Sequence, residues 1–403
     1  MKRMMDIPVV GCVIFIFSSV AYIKRFMKSK GFICLFVLVC ISLLDACHTP
    51  HEKNVSSRIR FVNRPSSEML NALTYHFIPL ETTSDNLISG IQQIEMDSSR
   101  IYLMDSRSGE VFVFGKDGKF ISQVGRLGNG PGEYMQPINL HIDKANREII
   151  LADREKLELI HYDLFDFTYK YHQKTDFFTE CIWLENGNIL WIRFSGFQTP
   201  KRESFYAQLT NSNLDFIKNL YPSPIHPECV MMIGSCLYAF NGDAYINLPF
   251  LPEIQKVKAD GMETVYTIEI EGHSLAPLEW LQTHAVDNYA SAVLPTEYIS
   301  AYCIKETNDC ICINFCANGS HPYIGFYSKK DGSSCLYTGT EFMKETGLIG
   351  IGITKAACGD FFVATIAPDA LKRSASKQPA LQKIADEVDS EDNPILCLFK
   401  FDK

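Results

Sequence analysis

Short apolar runs separated by polar turns follow one another from residue 91 onward. Apolar and polar positions alternate within the runs, and Asp, Ser and Gly cluster between them, which is typical of short antiparallel strands. The first unit contains four such strands, at 91–97, 100–105, 110–115 and 119–124. The second contains four more, near 138–143, 147–152, 157–163 and 166–171. The pattern therefore predicts two successive four-stranded antiparallel sheets.

Looser copies of this unit continue to the C-terminus. The second strand of each unit begins near residues 100, 147, 188, 243, 309 and 360. Repeats of this length suit the four-stranded blades of a β-propeller. The sixth unit has only three strands, while an unassigned strand, Thr74–Glu81, precedes the first unit. We therefore predict an all-β fold, a six-bladed β-propeller of four-stranded antiparallel blades over residues 74–403, closed by an N-terminal strand.

A glycine-rich loop, "VGRLGNGPGEYMQP" (Val124–Pro137), separates the first two units. Gly supplies the left-handed backbone angles of a sharp turn, and Pro131 fixes its own φ. The loop is predicted to cross from the outermost strand of one blade to the innermost strand of the next. Glu133 and Tyr134 either tether the two blades or stand on the rim of a ligand site.

The N-terminal region carries an export signal. Lys28 and Lys30 precede an apolar run, Phe32–Leu44, that is too short to span a membrane and is followed by "LDAC". This ending resembles a bacterial lipobox, in which Cys47 would be acylated; an ordinary secretory signal is the alternative. We predict a signal peptide over residues 1–46, with Met27 as the true start, and a lipidated tether over 47–73; an additional membrane helix within residues 1–26 is the alternative to the Met27 start.

The loop and the strands after it, "GRLGNGPGEYMQP", "ADRE" and "LELIHYD", resemble the NHL repeat. Residues 70–403 resemble the six-bladed β-propeller lipoproteins of Bacteroidota, in which stretches like Ile78–Ser89 and Glu391–Phe401 flank the blades. The first two blades match best, and blades three to five depart from the NHL pattern. The resemblance implies the propeller fold and an anchored location in the cell envelope, at the outer membrane, but no particular activity.

Composition narrows the possible partners. The chain has 46% hydrophobic and 21% charged residues and a net charge of −9, so it can bury a large core and has no basic field for nucleic acid. Ten cysteines follow Cys47, most of them within apolar strands. Cys310, Cys312 and Cys316 share one strand face. We predict that these thiols pack in the core, with a disulfide or a metal site as alternatives.

Candidate binding residues cluster in connections that share one end of the propeller. They are Arg107, Arg126, Tyr134, Arg154, Arg193 and His321. Arginines beside a Tyr and a His would suit an anionic or carbohydrate ligand. Asp105 and Asp153, at the ends of second strands, are predicted to accept turn amides. The insertion 367–394 contains a predicted amphipathic helix that either caps the central tunnel or covers the last blade.

No nucleophile, zinc-protease or P-loop motif occurs in the sequence. Glu95, Asn139 and Glu180 occupy innermost-strand positions at which a metal-dependent propeller enzyme would hold its ion. They match no recognisable motif, so we predict no metal and no cofactor. The predicted function is therefore a membrane-anchored module that binds a glycan, peptide or protein, with a metal-dependent hydrolase or lyase as the alternative.

Overall fold

Six antiparallel sheets form a closed ring in the computed structural model, which describes residues 56–63, 70–176, 180–192, 205–222, 229, 236–258, 261–373 and 378–401. Two strands, β1 (Ser57–Phe61) and β2 (Leu73–Pro79), precede the blades. The strands of blades one to three are β3 (Ile91–Met96), β4 (Arg100–Asp105), β5 (Val111–Gly115), β6 (Phe120–Val124); β7 (Pro137–Asp143), β8 (Glu148–Asp153), β9 (Glu158–Asp163), β10 (Tyr169–Lys174); and β11 (Cys181–Trp183), β12 (Ile189–Ile192), β13 (Phe205–Thr210), β14 (Phe216–Pro222). Those of blades four to six are β15 (Leu237–Phe240), β16 (Asp243–Asn247), β17 (Glu253–Lys258), β18 (Gly261–Ile270); β19 (Ala301–Glu306), β20 (Cys310–Ala317), β21 (His321–Ser328), β22 (Ser334–Thr338); and β23 (Ala356–Cys358), β24 (Phe361–Ile366), β25 (Ile395–Phe401). The prediction of six four-stranded blades is confirmed.

The ring closes through the N-terminal strand β2. This strand pairs antiparallel with β25, from Leu73 opposite Phe401 to Pro79 opposite Ile395, and becomes the outermost strand of blade six. Each innermost strand contacts the next one around the ring, and β23 contacts β3. Pairing β2 with the last strand, β25, closes the ring without an open sheet edge at this blade. The predicted closure is confirmed.

The antiparallel order of each blade divides the connections between two ends. The turns from the first to the second strand and from the third to the fourth lie at one end, which we call the hairpin end. The turns from the second to the third strand and the crossings between blades lie at the other, which we call the loop end. The long connections 271–300, 339–355 and 367–394 are all at the loop end.

The hydrophobic core consists of six clusters, each between neighbouring blades. In β4, Tyr102 and Met104 face blade two, while Ile101 and Leu103 face blade six. Side chains alternate between the two faces of a strand, and both faces are covered here. The second strand of each blade is therefore mainly apolar.

The strand β1 corrects part of the predicted tether 47–73. It pairs parallel to β18 as a fifth strand of blade four, from Ser57 opposite Tyr266 to Phe61 opposite Ile270. Ile59 and Phe61 are buried in the cluster between blades four and five. The alternation in "SRIRF" is that of an edge strand with one face covered. The other predictions for the N-terminus, the signal peptide over residues 1–46, the Met27 start and Cys47 acylation, lie outside the described residues.

The helices of the described residues all lie in the long loop-end connections. They are α1 (Leu278–His284), α2 (Tyr289–Val293), α3 (Gly339–Thr346), α4 (Pro368–Arg373) and α5 (Pro379–Glu387). Helix α5 is the one that the sequence predicts. Its Leu381 and Ala385 are buried in the cluster between blades five and six, which favours the interpretation that it covers the last blade. No described helix has the length and apolar character needed to cross a membrane.

The described cysteines behave as core residues. Cys310 and Cys312 are buried between blades five and six, while Cys316 is partly exposed. Burial raises the pKa of the Cys310 and Cys312 thiols, as expected for small hydrophobic side chains. No disulfide joins the cysteines of the described ranges, so core packing is the interpretation that the structure supports.

Candidate functional site

Two aspartates organise the loop end of the first two blades. The carboxylate of Asp105 accepts backbone hydrogen bonds from Ser89, Gly90, Arg107 and Ser108. The carboxylate of Asp153 accepts four in the same way, from Met135, Gln136, Glu155 and Lys156. Burial alone would raise the pKa of Asp105, but its four amide donors outweigh burial and lower that pKa. The prediction that both aspartates bind turn amides is confirmed.

The glycine-rich loop is held closed by its own side chains and by Lys156 of blade two. Glu133 accepts a hydrogen bond from the Gly130 backbone and pairs with Arg126 at 2.6 Å. Lys156 donates to the carbonyls of Gly130 and Glu133. Gly125 has a φ of 61°, and a Cβ there would lie 2.5 Å from the hydroxyl of Tyr162. Glycine is therefore required here by both conformation and space.

Tyr134 is fully buried in the cluster between blades one and two. Its hydroxyl accepts a hydrogen bond from the Val111 backbone at 3.3 Å, and burial raises its pKa to about 12. The structure thus assigns Tyr134 to the tether between the blades, one of the two predicted roles. Its place among the surface binding residues is corrected, because an apolar cluster shields it from any ligand.

Three predicted arginines flank the same loop. Arg126 is exposed apart from its ion pair with Glu133, and Arg154 donates to the Gln136 side chain at 2.7 Å. Arg107 is exposed in the neighbouring turn of blade one, whose Gly109 lies close to Pro137. The structure therefore brings Arg107, Arg126 and Arg154 to the loop end of a single blade junction.

The other two predicted binding residues belong to other blades. His321 is exposed at the start of β21 in blade five, where its Nδ1 lies 2.8 Å from the Asn318 carbonyl. Arg193 follows β12 and lies outside the described residues. Among the described members of the predicted set, Arg107, Arg126 and Arg154 share one blade junction, whereas His321 lies in blade five.

Two members of the innermost-strand trio considered as a metal site, Asn139 and Glu180, bond backbone groups instead. Both oxygen and nitrogen of the Asn139 side chain bond the backbone of Cys181, and Glu180 accepts from the backbone of Cys236. These donor atoms are thus engaged in joining blades. No three His, Cys, Asp or Glu side chains within the described ranges are placed to hold a metal ion.

Asn139 and Glu180 belong to a wider system that sequence reasoning missed. At every blade junction, a polar side chain bonds the backbone of the next blade or of the connection leading into it. The pairs are Gln93 with Leu140, Asn139 with Cys181, Glu180 with Cys236, Asn247 with Tyr302, Asn314 with Thr354 and Asn393 with Ile88. These bonds satisfy backbone groups that the blades' own ladders leave unpaired. We call these six side chains the junction clasps.

The centre of the ring carries ionisable groups on its innermost strands. Burial raises the pKa of Glu95 on β3, and the Gln93 amide and Lys305 on β19 only partly offset this. His141 on β7 stacks on Trp183 on β11 with ring centroids 4.4 Å apart. Burial lowers the pKa of His141 to about 4, so its ring is neutral at neutral pH. The centre thus holds a carboxyl group whose pKa lies above its ordinary value.

A cavity of about 510 Å³ opens at the loop end of blade four. Its walls come from the turn after β16, the end of β18 and the connection 271–300. Most of the lining is apolar, and its polar members include Glu253, Glu269, His273 and Tyr302. Sequence reasoning did not find it. The unusual length of the segment between β18 and β19 was the one available signal.

Comparison with known proteins identifies a matching family and similar structures. A family model described as DUF5128, 6-bladed beta-propeller, matches residues 51–365. A protein from Bacteroides fragilis whose description calls it exported is similar in structure, with a TM-score of 0.80 and 24% identity, covering 86% of this chain and 100% of its own. A DUF4221 member from Bacteroides vulgatus has a TM-score of 0.54 and 8% identity, covering 82% and 97%. None of the curated proteins compared with the chain matches it.

Proposed function

The chain belongs to the DUF5128 family of six-bladed β-propellers, and from this premise we propose that it is an envelope-anchored binding module. An acyl group on Cys47 holds the module at the membrane. The ligand, a glycan, peptide or partner protein, binds at the loop end through a surface that includes Arg107, Arg126 and Arg154.

The distribution of exposed apolar side chains supports the loop end as the binding surface. Five large hydrophobic residues are more than a third exposed in its connections: Leu87, Leu127, Met135, Leu294 and Ile353. The hairpin-end turns expose one such residue among those described, Phe165. Exposed apolar groups beside arginines are typical of recognition surfaces, because both residue types contribute strongly to binding. Connections on a rigid scaffold are also where binding residues usually lie.

The envelope location is supported by two observations. The apolar run Phe32–Leu44 followed by "LDAC" has the form of a lipoprotein signal. The similar protein from Bacteroides fragilis is described as exported. Stable attachment through acyl chains would not need a basic surface, which suits a chain of net charge −9.

The alternative, a metal-dependent hydrolase or lyase, gains no support from the described residues. Asn139 and Glu180 are engaged as junction clasps, and burial raises the pKa of Glu95, which disfavours the ionised carboxylate that a metal ion would need.

Anchoring is tested by replacing the acylated residue. Cys47→Ala should move the protein from the membrane fraction to the soluble fraction of a cell lysate, whereas Cys40→Ala, within the apolar run, should leave it with the membranes. Membrane attachment of the Cys47→Ala protein would overturn the lipid anchor.

Binding is tested on glycan and peptide arrays. We expect ligands that the parent captures to be lost by the double variant Arg107→Ala/Arg154→Ala. The control, Lys116→Ala/Lys330→Ala, removes the same charge from two hairpin-end turns and should bind as the parent does. Equal loss in both double variants would show that net charge, and not the loop-end surface, governs capture.

A further inference from the structure

The cavity of blade four lies between the loop-end residues of the blade itself and the connection 271–300. The two ends of the connection 271–300 are joined by a hydrogen bond from the Ile299 amide to the Ser274 carbonyl at 2.9 Å. The Tyr302 hydroxyl donates to the Leu251 carbonyl at 2.5 Å, which fixes the opposite wall. A volume of about 510 Å³ falls within the range of roughly 300–1,000 Å³ usual for small-molecule sites. The walls are therefore held apart in a shape that could admit a ligand.

The lining of this cavity is mainly apolar. Phe250, Ile268, Ile270, Leu275 and Ile299 contribute to it from three separate segments. Phe250 and Ile299 are buried behind the surface, whereas Ile270 and Leu275 are partly exposed. Covering the exposed portions would release water from apolar surface, which favours a ligand with a hydrophobic body.

One charged group of the lining has no counterpart. Glu269 pairs with Arg58 at 3.2 Å. Glu253, in contrast, has neither a hydrogen bond nor an ion pair from its carboxylate to any described residue, although it is only partly exposed. The His273 ring packs edge-on against Phe315 and Tyr323, and burial lowers its pKa, which favours the neutral form of the ring. The cavity therefore presents an uncompensated negative charge.

A second unsatisfied acceptor lies behind the cavity wall. Asn247 is a junction clasp whose Nδ2 donates to the Tyr302 carbonyl at 3.2 Å. Its Oδ1 is buried and is the single such side-chain atom in the described ranges without a hydrogen-bond partner. Buried acceptors without donors are rare, because each costs about 1–3 kcal/mol. Both unsatisfied groups at this junction thus accept hydrogen bonds.

We propose that this cavity binds a hydrophobic organic cation, of the class of an alkyl or aryl primary amine. Its ammonium group pairs with Glu253, and its apolar body packs against Phe250, Ile270 and Leu275. An anion of the same shape is repelled by Glu253. The inference rests on the proposed function in placing ligands at the loop end, but it concerns a different blade junction from the arginine surface.

Two fluorescent probes with one fluorophore and opposite charges test the charge preference. Dansylcadaverine carries a primary ammonium group, and dansylglycine carries a carboxylate. We expect saturable binding of dansylcadaverine to the purified protein, measured by its fluorescence increase, and at least about tenfold weaker binding of dansylglycine. Similar affinities for the two probes, or no saturable binding of the amine at millimolar concentration, would overturn the proposal.

Two variants localise the binding. Glu253→Gln keeps the side-chain shape, and we expect it to weaken dansylcadaverine binding about tenfold. Glu279→Gln removes the same charge from the exposed face of α1 and should leave binding unchanged. Leu275→Trp should block binding by filling the cavity, while thermal unfolding measures whether the fold persists. Unchanged amine binding in Glu253→Gln would refute the site.

The outcome separates this inference from the proposed function. If the amine fails to bind while array capture still depends on Arg107 and Arg154, the cavity proposal alone is wrong. If the amine binds as expected while array capture is unaffected by those arginines, the arginine surface is wrong and the cavity stands.

Discussion

The junction of blades one and two and the junction of blades four and five bury similar apolar clusters but are held in different ways. At the first, many contacts come from one loop and the strands beside it: Asp153 binds the amides of Met135 and Gln136, and Tyr162 donates to Gly132. At the second, the cluster includes Phe61, which belongs to β1 and precedes all six blades in sequence. Nearby, Ser334 donates to the Arg60 carbonyl across 274 positions of sequence.

This difference separates local from long-range folding information. The first junction depends on turn residues that are visible in a short stretch of sequence, so a repeat motif describes it. The second depends on a strand and a long connection that no repeat predicts. The binding features follow the same division, since the arginine surface lies at the regular junction and the cavity at the irregular one.

We expect the largest effect from a truncation that disrupts both junctions together. Truncation after Ser390 removes β25 and the clasp Asn393 and leaves β2 without its partner. Because each blade buries its faces on its neighbours, we expect the cooperative unfolding transition to be lost, as measured by circular dichroism during heating. A chain ending at Asp402 is the control. A truncated protein that retained a sharp transition would show that the blades fold independently.

Removal of one long-range contact should weaken the irregular junction. Phe61 is fully buried and packs against Gly325 and Tyr327. Phe61→Ala should lower the free energy of unfolding by about 3–5 kcal/mol, measured in urea, because it leaves a cavity. Val62→Ala, at a partly exposed neighbour, should cost much less. A loss below about 1 kcal/mol for Phe61→Ala would mean that β1 is dispensable for this junction.

The stability of the protein should depend on pH through His141, which lies on β7 in blade two. Its folded pKa, about 4, lies below the ordinary 6.5, so the native state binds fewer protons than the unfolded state between these values. The free energy of unfolding should therefore fall by about 3 kcal/mol as the pH drops from about 6.5 to about 4.

His141→Phe keeps an aromatic ring beside Trp183 and should remove this slope in urea titrations at successive pH values. His172→Phe, exposed on β10, is the control and should keep the slope. An unchanged slope in His141→Phe would assign the pH dependence to other groups.

We expect the smallest change in unfolding free energy from substitution of a turn aspartate. Asp153→Asn keeps the shape but removes the charge that binds four amides, so we expect a loss of about 2 kcal/mol in unfolding free energy. Arg126→Ala, which breaks an exposed ion pair in the same loop, should cost less than about 1 kcal/mol. The reverse order would show that the loop is held by its ion pair.

Much of the fold and part of the site followed from residues close together in sequence. The strands of blades one and two, the amide-binding aspartates and helix α5 were predicted because alternation and turn chemistry act over a few residues. The loop-end position of the arginines followed from the antiparallel order of the strands. Tyr134 was ambiguous, because a tyrosine in a glycine-rich loop suits a buried tether as well as an exposed rim.

Alternation and turn residues alone specify six blades and their closure, because each blade needs an apolar strand pattern and the last unit lacks a strand that the N-terminus supplies. Three features were decided only by tertiary packing: β1 on blade four, the junction clasps, and the cavity beside Glu253. A five-residue strand has many edges to choose from, and an Asn or Gln can bond any unpaired backbone group. The cavity needs three distant segments to meet, so none of these contacts is encoded by neighbours along the chain.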